Sequence, residues 1–228
     1  MGIELAPSMM CADLLKLREQ MDVINRRGHI CHLDIMDGHF APNLAISPYM
    51  ARTLRSVAQR PMEAHLMTTD PGRWIEVYGK IGMDEISVHA ETITGSAFRL
   101  FDAIEAYGAK PGLALCPATT VDSVIHLLTR VSFINIMTVD IGYAGSPFIP
   151  EMLEKIRRAA ELRKQRGLNF KIQVDGGCRR DTYKALRDAG ADRFVMGTAL
   201  FDGGDASLNG GYDRVTRDIE ETTGEKVA

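Results

Sequence analysis

Long apolar runs are missing from this 228-residue chain: no stretch of about 18 apolar residues exists to cross a membrane. The first ten residues, MGIELAPSMM, lack the basic start and extended apolar segment of a secretion signal. Both absences set the expectation of a cytoplasmic protein with no membrane partner. No concentrated basic face is present. The net charge is −3, and the run Arg157, Arg158, Arg163, Lys164 and Arg166 reads as the solvated side of one helix. No nucleic-acid partner is therefore expected. The four cysteines, Cys11, Cys31, Cys116 and Cys178, form no CxxC pair and give no disulfide framework. Cys31 and Cys116 fall in apolar strand-like segments and are read as buried free thiols. The dinucleotide fingerprint GxGxxG does not follow the first strand-like run, and no lysine stands at an inner strand end apart from Lys171, which begins a strand.

What is present is a regular alternation. Apolar residues make up 45% and charged residues 25%, enough for a core of good size. Short apolar runs recur at 3–8, 30–36, 62–67, 85–89, 112–115, 133–139, 171–174 and 194–196. Between them lie amphipathic segments at 12–27, 48–58, 71–81, 95–107, 121–128, 150–165, 179–189 and near 212–221. Leu153, Ile156, Ala160 and Leu162 approximate one face of a 3.6-period helix. Pro71 and Pro150 mark helix starts, and Gly108, Gly167 and Gly190 mark stops. Strands alternating with helices imply parallel pairing, and eight such units in this length predict a single-domain α/β fold, a closed (β/α)8 TIM barrel over residues 1–228. The rival is an open doubly wound sheet. The tail after about residue 221 is expected to fray.

In a barrel the site lies at the C-terminal ends of the strands. The second strand ends His32-Leu33-Asp34-Ile35-Met36. Side chains alternate, so His32, Asp34 and Met36 share one face, and Leu33 and Ile35 take the helix-facing side. Polar residues facing inward are costly unless satisfied. The third strand adds His65 and Met67, and the seventh ends at Asp175. Any one inward histidine is more often a hydrogen-bonded core residue than a ligand. Two imidazoles and two carboxylates from three strands, converging at a barrel top, predict a site for one divalent cation, with zinc, iron(II), manganese, cobalt or magnesium as candidates. His29, His39, His89 and His126 lack such support.

Glycines mark three neighbouring strand ends: Gly142-Tyr143-Ala144-Gly145-Ser146, Gly176-Gly177 and Gly197-Thr198. A single glycine pair is no more than a turn. Three such rims on consecutive strands predict a phosphate site, because backbone N–H groups can approach an anion closely there. Met36, Met67 and Met137 lie near strand tops. They are either gap-filling core residues or a water-poor wall beside a developing anion.

The segments Ala6-Pro7-Ser8, HLDIMDGHFAPN (32–43), EAHLM (63–67), MTVDIGYAGSPFIP (137–150), VDGG (174–177) and MGTALF (196–201) resemble those of ribulose-phosphate 3-epimerases. The resemblance covers essentially the whole chain. HAETITGSAFRLFDAI (89–104), and more weakly CPATTVDSV (116–124), look closer to the branch acting on D-allulose 6-phosphate. The resemblance implies a metal-dependent isomerase that interconverts D-allulose 6-phosphate and D-fructose 6-phosphate, with D-ribulose 5-phosphate to D-xylulose 5-phosphate as the alternative. It implies His32, Asp34, His65 and Asp175 as metal ligands, Asp34 as proton acceptor and Asp175 as proton donor. Ser8 is then a substrate contact, and Gly142 to Gly145, Gly176, Gly177, Gly197 and Thr198 form the substrate and phosphate loops. Ile141 and Ser146 depart from the family's usual proline and glutamine, and MGTALF is plainer than its serine-bearing turn.

The expected reaction removes the C3 proton beside the C2 ketone and returns one to the opposite face, through a metal-stabilised enediolate flanked by the two aspartates. The rivals are a barrel aldolase or decarboxylase and a non-catalytic sugar-phosphate-binding barrel. The first lacks a strand-end lysine for a Schiff base, and the second would not need both aspartates. The partners expected are a phosphorylated ketose and further copies of the chain in a homo-oligomer.

Overall fold

The computed structural model describes residues 2–202, 204 and 207–228. Eight parallel strands form one sheet: β1 (Glu4–Pro7), β2 (Cys31–Met36), β3 (Met62–Met67), β4 (Glu85–His89), β5 (Lys110–Leu115), β6 (Phe133–Met137), β7 (Lys171–Asp175) and β8 (Arg193–Met196). Their spatial order, β1-β8-β7-β6-β5-β4-β3-β2, follows the chain around a ring. A parallel bridge between Ser8 and His32 brings the two ends of the order together. His29 seals the seam below: Leu5 N–H donates to its Nδ1 at 3.0 Å, and its own N–H donates to Leu5 O. The chain is thus a single-domain (β/α)8 barrel.

The helices are α1 (Leu17–Arg27), α2 (Pro48–Arg55), α3 (Pro71–Ile81), α4 (Ala97–Ala106), α5 (Met152–Gln165), α6 (Tyr183–Ala189), α7 (Thr198–Phe201) and α8 (Leu208–Thr223). They bury their apolar faces against the outward strand residues, among them Leu33, Ile35, Ala64, Leu66, Ile172 and Val174. α3 has the expected bounds, with Pro71 at its first position and left-handed Gly82 ending it. Its hydrogen bonds need no N–H from proline at that position, and glycine carries no Cβ to resist a positive φ.

The segment 121–128 is no α-helix. It holds one 3-10 turn, Asp122–Val124, continued by i to i+3 bonds such as Leu127 N–H to Val124 O. Short and rich in β-branched Val121, Val124 and Ile125, it does not sustain the wider α turn. α1 starts later than expected, because Asp13 accepts from Leu15 N–H and stabilises a 3-10 turn first. α6 also starts late, since Thr182 Oγ1 accepts from Arg179 N–H and donates to Gly177 O.

The tail past residue 221, expected to fray, is docked. α8 runs to Thr223, Val227 bridges Ile3, and the Ala228 N–H donates to Ile3 O at 3.0 Å. The physical reason is backbone pairing below the seam, reinforced by Arg187 on Glu225.

Side chains pointing inward fill the barrel in polar tiers. At the bottom Arg193, 2% exposed, donates to Glu85 and Glu4 and lies over the Phe133 ring. Gly112 makes room for that ring, since a Cβ there would stand 2.2 Å from it. Above lies Glu63, fully buried, accepting from Ser87 and Gln173. Arg193 also donates to Gln173 Oε1, which links the two tiers. Lys171 reaches Glu4 at the bottom of the barrel, far from the strand tops. All four cysteines are free thiols; Cys31 is buried as expected, but Cys116, past the end of β5, is only half-buried.

Candidate active site

The parallel register of β2 and β3 places Asp34 opposite His65 and Met36 opposite Met67. One strand pair therefore supplies most of a cluster that Asp175 completes from across the barrel. His32 Nε2 lies 3.2 Å from Asp34 Oδ1 and 3.5 Å from Asp175 Oδ2. His65 Nδ1 lies 3.6 Å from Asp34 Oδ1 and 3.3 Å from Asp175 Oδ2. One ligand atom from each of the four residues falls within 4.8 Å of the others. The structure thus brings together all four residues expected to hold a metal ion.

The surroundings prepare them for that use. His32 Nδ1 faces Glu63 at 2.8 Å, which leaves Nε2 to the cluster. A carboxylate on the far nitrogen is the usual way to fix a ligating histidine's tautomer. Asn135 Nδ2 donates to Asp175 at 3.3 Å, and its own buried Oδ1 has no hydrogen-bond partner among the described residues. That orphan acceptor, beside two neutralisable imidazoles and two hard carboxylates, fits a divalent cation with mixed N and O ligands. Ser8 Oγ donates to Asp34 Oδ2 at 2.5 Å, and Ser8 also lines the cavity above the cluster.

Taken as side chains alone, the four groups and Glu63 form one charged network. Burial works against the charged forms throughout. For His32 the charges of Glu63 and Asp34 outweigh it and hold the imidazole pKa well above its ordinary value. Hydrogen bonds to Asp175 and Asp34 push His65 up to about 9. Against burial, His32 and His65 pull Asp34 down to about 2 and hold Asp175 below the usual carboxylate range. Four buried ionisable groups that shift one another strongly are the signature of a functional site.

Above the cluster opens a cavity of about 320 Å³. Asp34 and Asp175 form its floor, 4% and 8% exposed, while His32 and His65 lie fully buried beneath. Met36, Met67 and Met137 wall it, together with Ser8. Met36 and Met67 also pack with Ala41, as gap-filling core residues do. The rim carries Gly142, Tyr143, Ala144, Gly145, Gly176, Gly177, Gly197 and Thr198. Gly176 needs its bare Cα: its φ is 105°, and a Cβ would stand 2.4 Å from Val139. Tyr143 is the exposed tip of the loop, which Asn43 anchors by donating to Gly142 O at 2.8 Å.

His39 and His126 stay on the surface, and His29 belongs to the seam. His89 ends β4, a position that the sequence leaves open between facing the pocket and a structural role; it is fully buried, and its Nε2 lies 2.9 Å from His65 Nε2. Asn135, Glu63 and Arg179, a basic residue lining the cavity, were missed. Glu63 and Asn135 sit two residues before His65 and Met137, so strand alternation alone assigns them to the inner face.

The sequence matches the model of the ribulose-phosphate 3-epimerase family over residues 4–201. It is 35% identical over 201 residues to a ribulose-phosphate 3-epimerase of Bacillus subtilis, covering 87% of this chain and 92% of that one. It is 38% identical over 200 residues to the enzyme of that name in Treponema pallidum, covering 87% and 91%. Among solved structures, KGPDC from Streptococcus mutans superposes with a TM-score of 0.74 at 15% identity, covering 96% of this chain and 98% of that one. A 3-hexulose-6-phosphate synthase superposes at 0.69 and 16% identity, covering 96% and 100%. Likenesses this distant in sequence speak for the fold alone. The match along nearly the whole length, on a barrel with this cluster at its strand ends, makes the chain a member of the ribulose-phosphate 3-epimerase family and hence a sugar-phosphate 3-epimerase, an isomerase.

Proposed function

We propose that this chain epimerises a phosphorylated ketose at C3, with Asp34 and Asp175 as the two proton-transferring groups and one divalent cation held by His32, Asp34, His65 and Asp175. The observation that carries the reading is the floor of the cavity: two carboxylates from β2 and β7 share the same two imidazoles and open into one chamber. Epimerisation needs an acid/base group on each face of a planar carbon, and strands β2 and β7 are separated in the ring by β1 and β8. A bound divalent cation supplies positive charge against the negative charge that develops on the substrate oxygens. The residues do the rest. Asp34 takes the C3 proton on one face and Asp175 delivers one to the other. Ser8 and Asn135 orient these carboxylates through hydrogen bonds at 2.5 and 3.3 Å. The three methionines keep water from the reacting carbon. The glycine rims at 142–145, 176–177 and 197–198 offer backbone N–H groups to the phosphate, and Arg179 adds a positive charge to the lining.

Two sugars fit this reading. The resemblance of residues 89–104 and 116–124 favours D-allulose 6-phosphate, giving D-fructose 6-phosphate. The names of the curated relatives favour D-ribulose 5-phosphate, giving D-xylulose 5-phosphate. The lining of the main cavity includes no residue of 89–104, so that resemblance bears on the surroundings of His65 rather than on room for a sixth carbon. The deciding experiment measures C3 epimerisation of both sugars by one preparation whose metal content is counted. Turnover of either sugar in proportion to bound metal supports the proposal, and the ratio of the two kcat/KM values ranks the sugars. Failure of metal-loaded protein to epimerise either one sinks it.

A further inference from the structure

A second group of ligand-type side chains stands beside the first. His89, Glu91 and Cys116 place one donor atom each within 4.8 Å of the others, at the ends of β4 and β5. Taken alone this is the outline of a second metal site. Its connection to His65 decides otherwise. His65 Nε2 and His89 Nε2 are 2.9 Å apart, so one of them carries a proton and the other accepts it. His65 turns Nδ1 toward Asp34 and Asp175, and a nitrogen that ligates a cation carries no proton. The neutral His65 ring must then hold its proton on Nε2 and donate to His89 Nε2. His89, accepting there, holds its own proton on Nδ1, which faces Glu91 Oε2 at 3.2 Å. Glu91 Oε1 accepts from the Cys116 N–H at 2.9 Å and from Thr119 Oγ1. Glu91 is therefore an acceptor on both sides, fixed to the β5 loop.

We propose that Glu91 and His89 are positioning residues that lock the His65 tautomer for cation binding, and that their cluster with Cys116 holds no cation of its own. The proposal rests on the assignment of His65 as a ligand. A cation on His89 Nδ1 would force the His89 proton onto Nε2, reverse the bond to His65 and place a proton on the nitrogen that faces the main cluster. Occupying one site thus disables the other. His32 has the parallel arrangement in shorter form, with Glu63 acting directly on its Nδ1.

Glu91→Gln tests this with nearly the same shape. An amide has one acceptor and one donor end, so it opposes a donor with a donor either at His89 or at Cys116 and Thr119. Zinc affinity is measured by chelator competition on wild type, Glu91→Gln and Cys116→Ala, and ¹⁵N-histidine NMR is recorded on zinc-loaded wild type. One zinc per chain is expected, with Kd raised about 10- to 100-fold in Glu91→Gln and unchanged in Cys116→Ala. The NMR should place protons on His65 Nε2 and His89 Nδ1. A second zinc in wild type that Cys116→Ala removes, an unchanged Kd in Glu91→Gln, or a proton on His89 Nε2 would overturn the proposal. If Glu91→Gln does not fold, the wild-type stoichiometry and NMR still decide. None of these readouts uses turnover. Zinc bound as described by a protein that epimerises no sugar would sink the proposed function and support this lock, and zinc that bypasses His65 would overturn the lock whatever the activity.

Discussion

Asp34 and Asp175 approach the same nitrogen, His65 Nδ1, at 3.6 and 3.3 Å, from strands that are not neighbours in the ring. Each also reaches His32 Nε2. Two carboxylates tied to one pair of imidazoles cannot be altered independently in charge, although each has its own approach to the cavity. Replacing either by asparagine keeps size and removes proton transfer. Asp34→Asn and Asp175→Asn are each expected to lower kcat by at least about 100-fold, the lower end for a positioned acid or base, with an unchanged far-UV circular dichroism spectrum. Activity above about 1% of wild type in either variant, on that same scale, contradicts the two-base scheme.

Chelation should remove activity, and added divalent ion should restore it. The pH dependence of ion binding follows from the imidazoles. In the folded chain His32 is held well above its ordinary pKa and His65 at about 9, so both carry protons at neutral pH that an incoming ion must displace. Ion affinity should therefore rise between pH 6 and pH 9, as isothermal titration across that range can follow. A flat profile would show that the ion does not compete for these protons.

Without the ion, the same shifts make stability pH-dependent with two signs. A raised histidine pKa contributes stability below its unfolded value near 6.5 that is lost as pH rises through about 9. A lowered aspartate pKa contributes stability above its unfolded value near 3.8 that is lost as pH falls through about 2. Metal-stripped protein should thus melt highest between about pH 4 and 6.5 and lose Tm toward both ends, as calorimetry at several pH values can check. A Tm that keeps rising from pH 6.5 to 10 contradicts the pairing.

Much of this site is legible in the chain. The pattern at 32–36 puts His32 and Asp34 on one face because strand side chains alternate, and the structure keeps that parity. What the sequence conceals is partnership across the barrel. Gln173 meets Glu63, and His89 meets His65, only after strand register is set. The segment 121–128 misleads for a local reason, since its apolar spacing is helical while its β-branched residues close into successive 3-10 turns. The tail misleads because its partner, Ile3, lies at the other end of the chain.

The bottom tier offers a test of stability separate from chemistry. Arg193, almost fully buried, holds buried Glu85 and half-buried Glu4. Arg193→Met fills the space but leaves Glu85 without its cation, while Glu4 keeps Lys171, a change of about 3–5 kcal/mol where a buried pair is broken. That corresponds to a Tm lower by roughly 6 °C or more for a domain of this size. A Tm unchanged within about 1 °C, where each kcal/mol moves it by about 2–4 °C, contradicts the role given to Arg193.

The central claim, proton transfer at C3 by two carboxylates beside a bound cation, is tested most directly by solvent exchange. The metal-loaded protein is incubated with each ketose phosphate in D₂O, and deuterium at C3 is followed by NMR, with metal-stripped protein in parallel. Deuterium at C3 of the epimerised product, formed by the loaded protein and not by the stripped one, is the predicted result. Epimerised product that keeps its original C3 proton, or equal exchange without the metal, would contradict it.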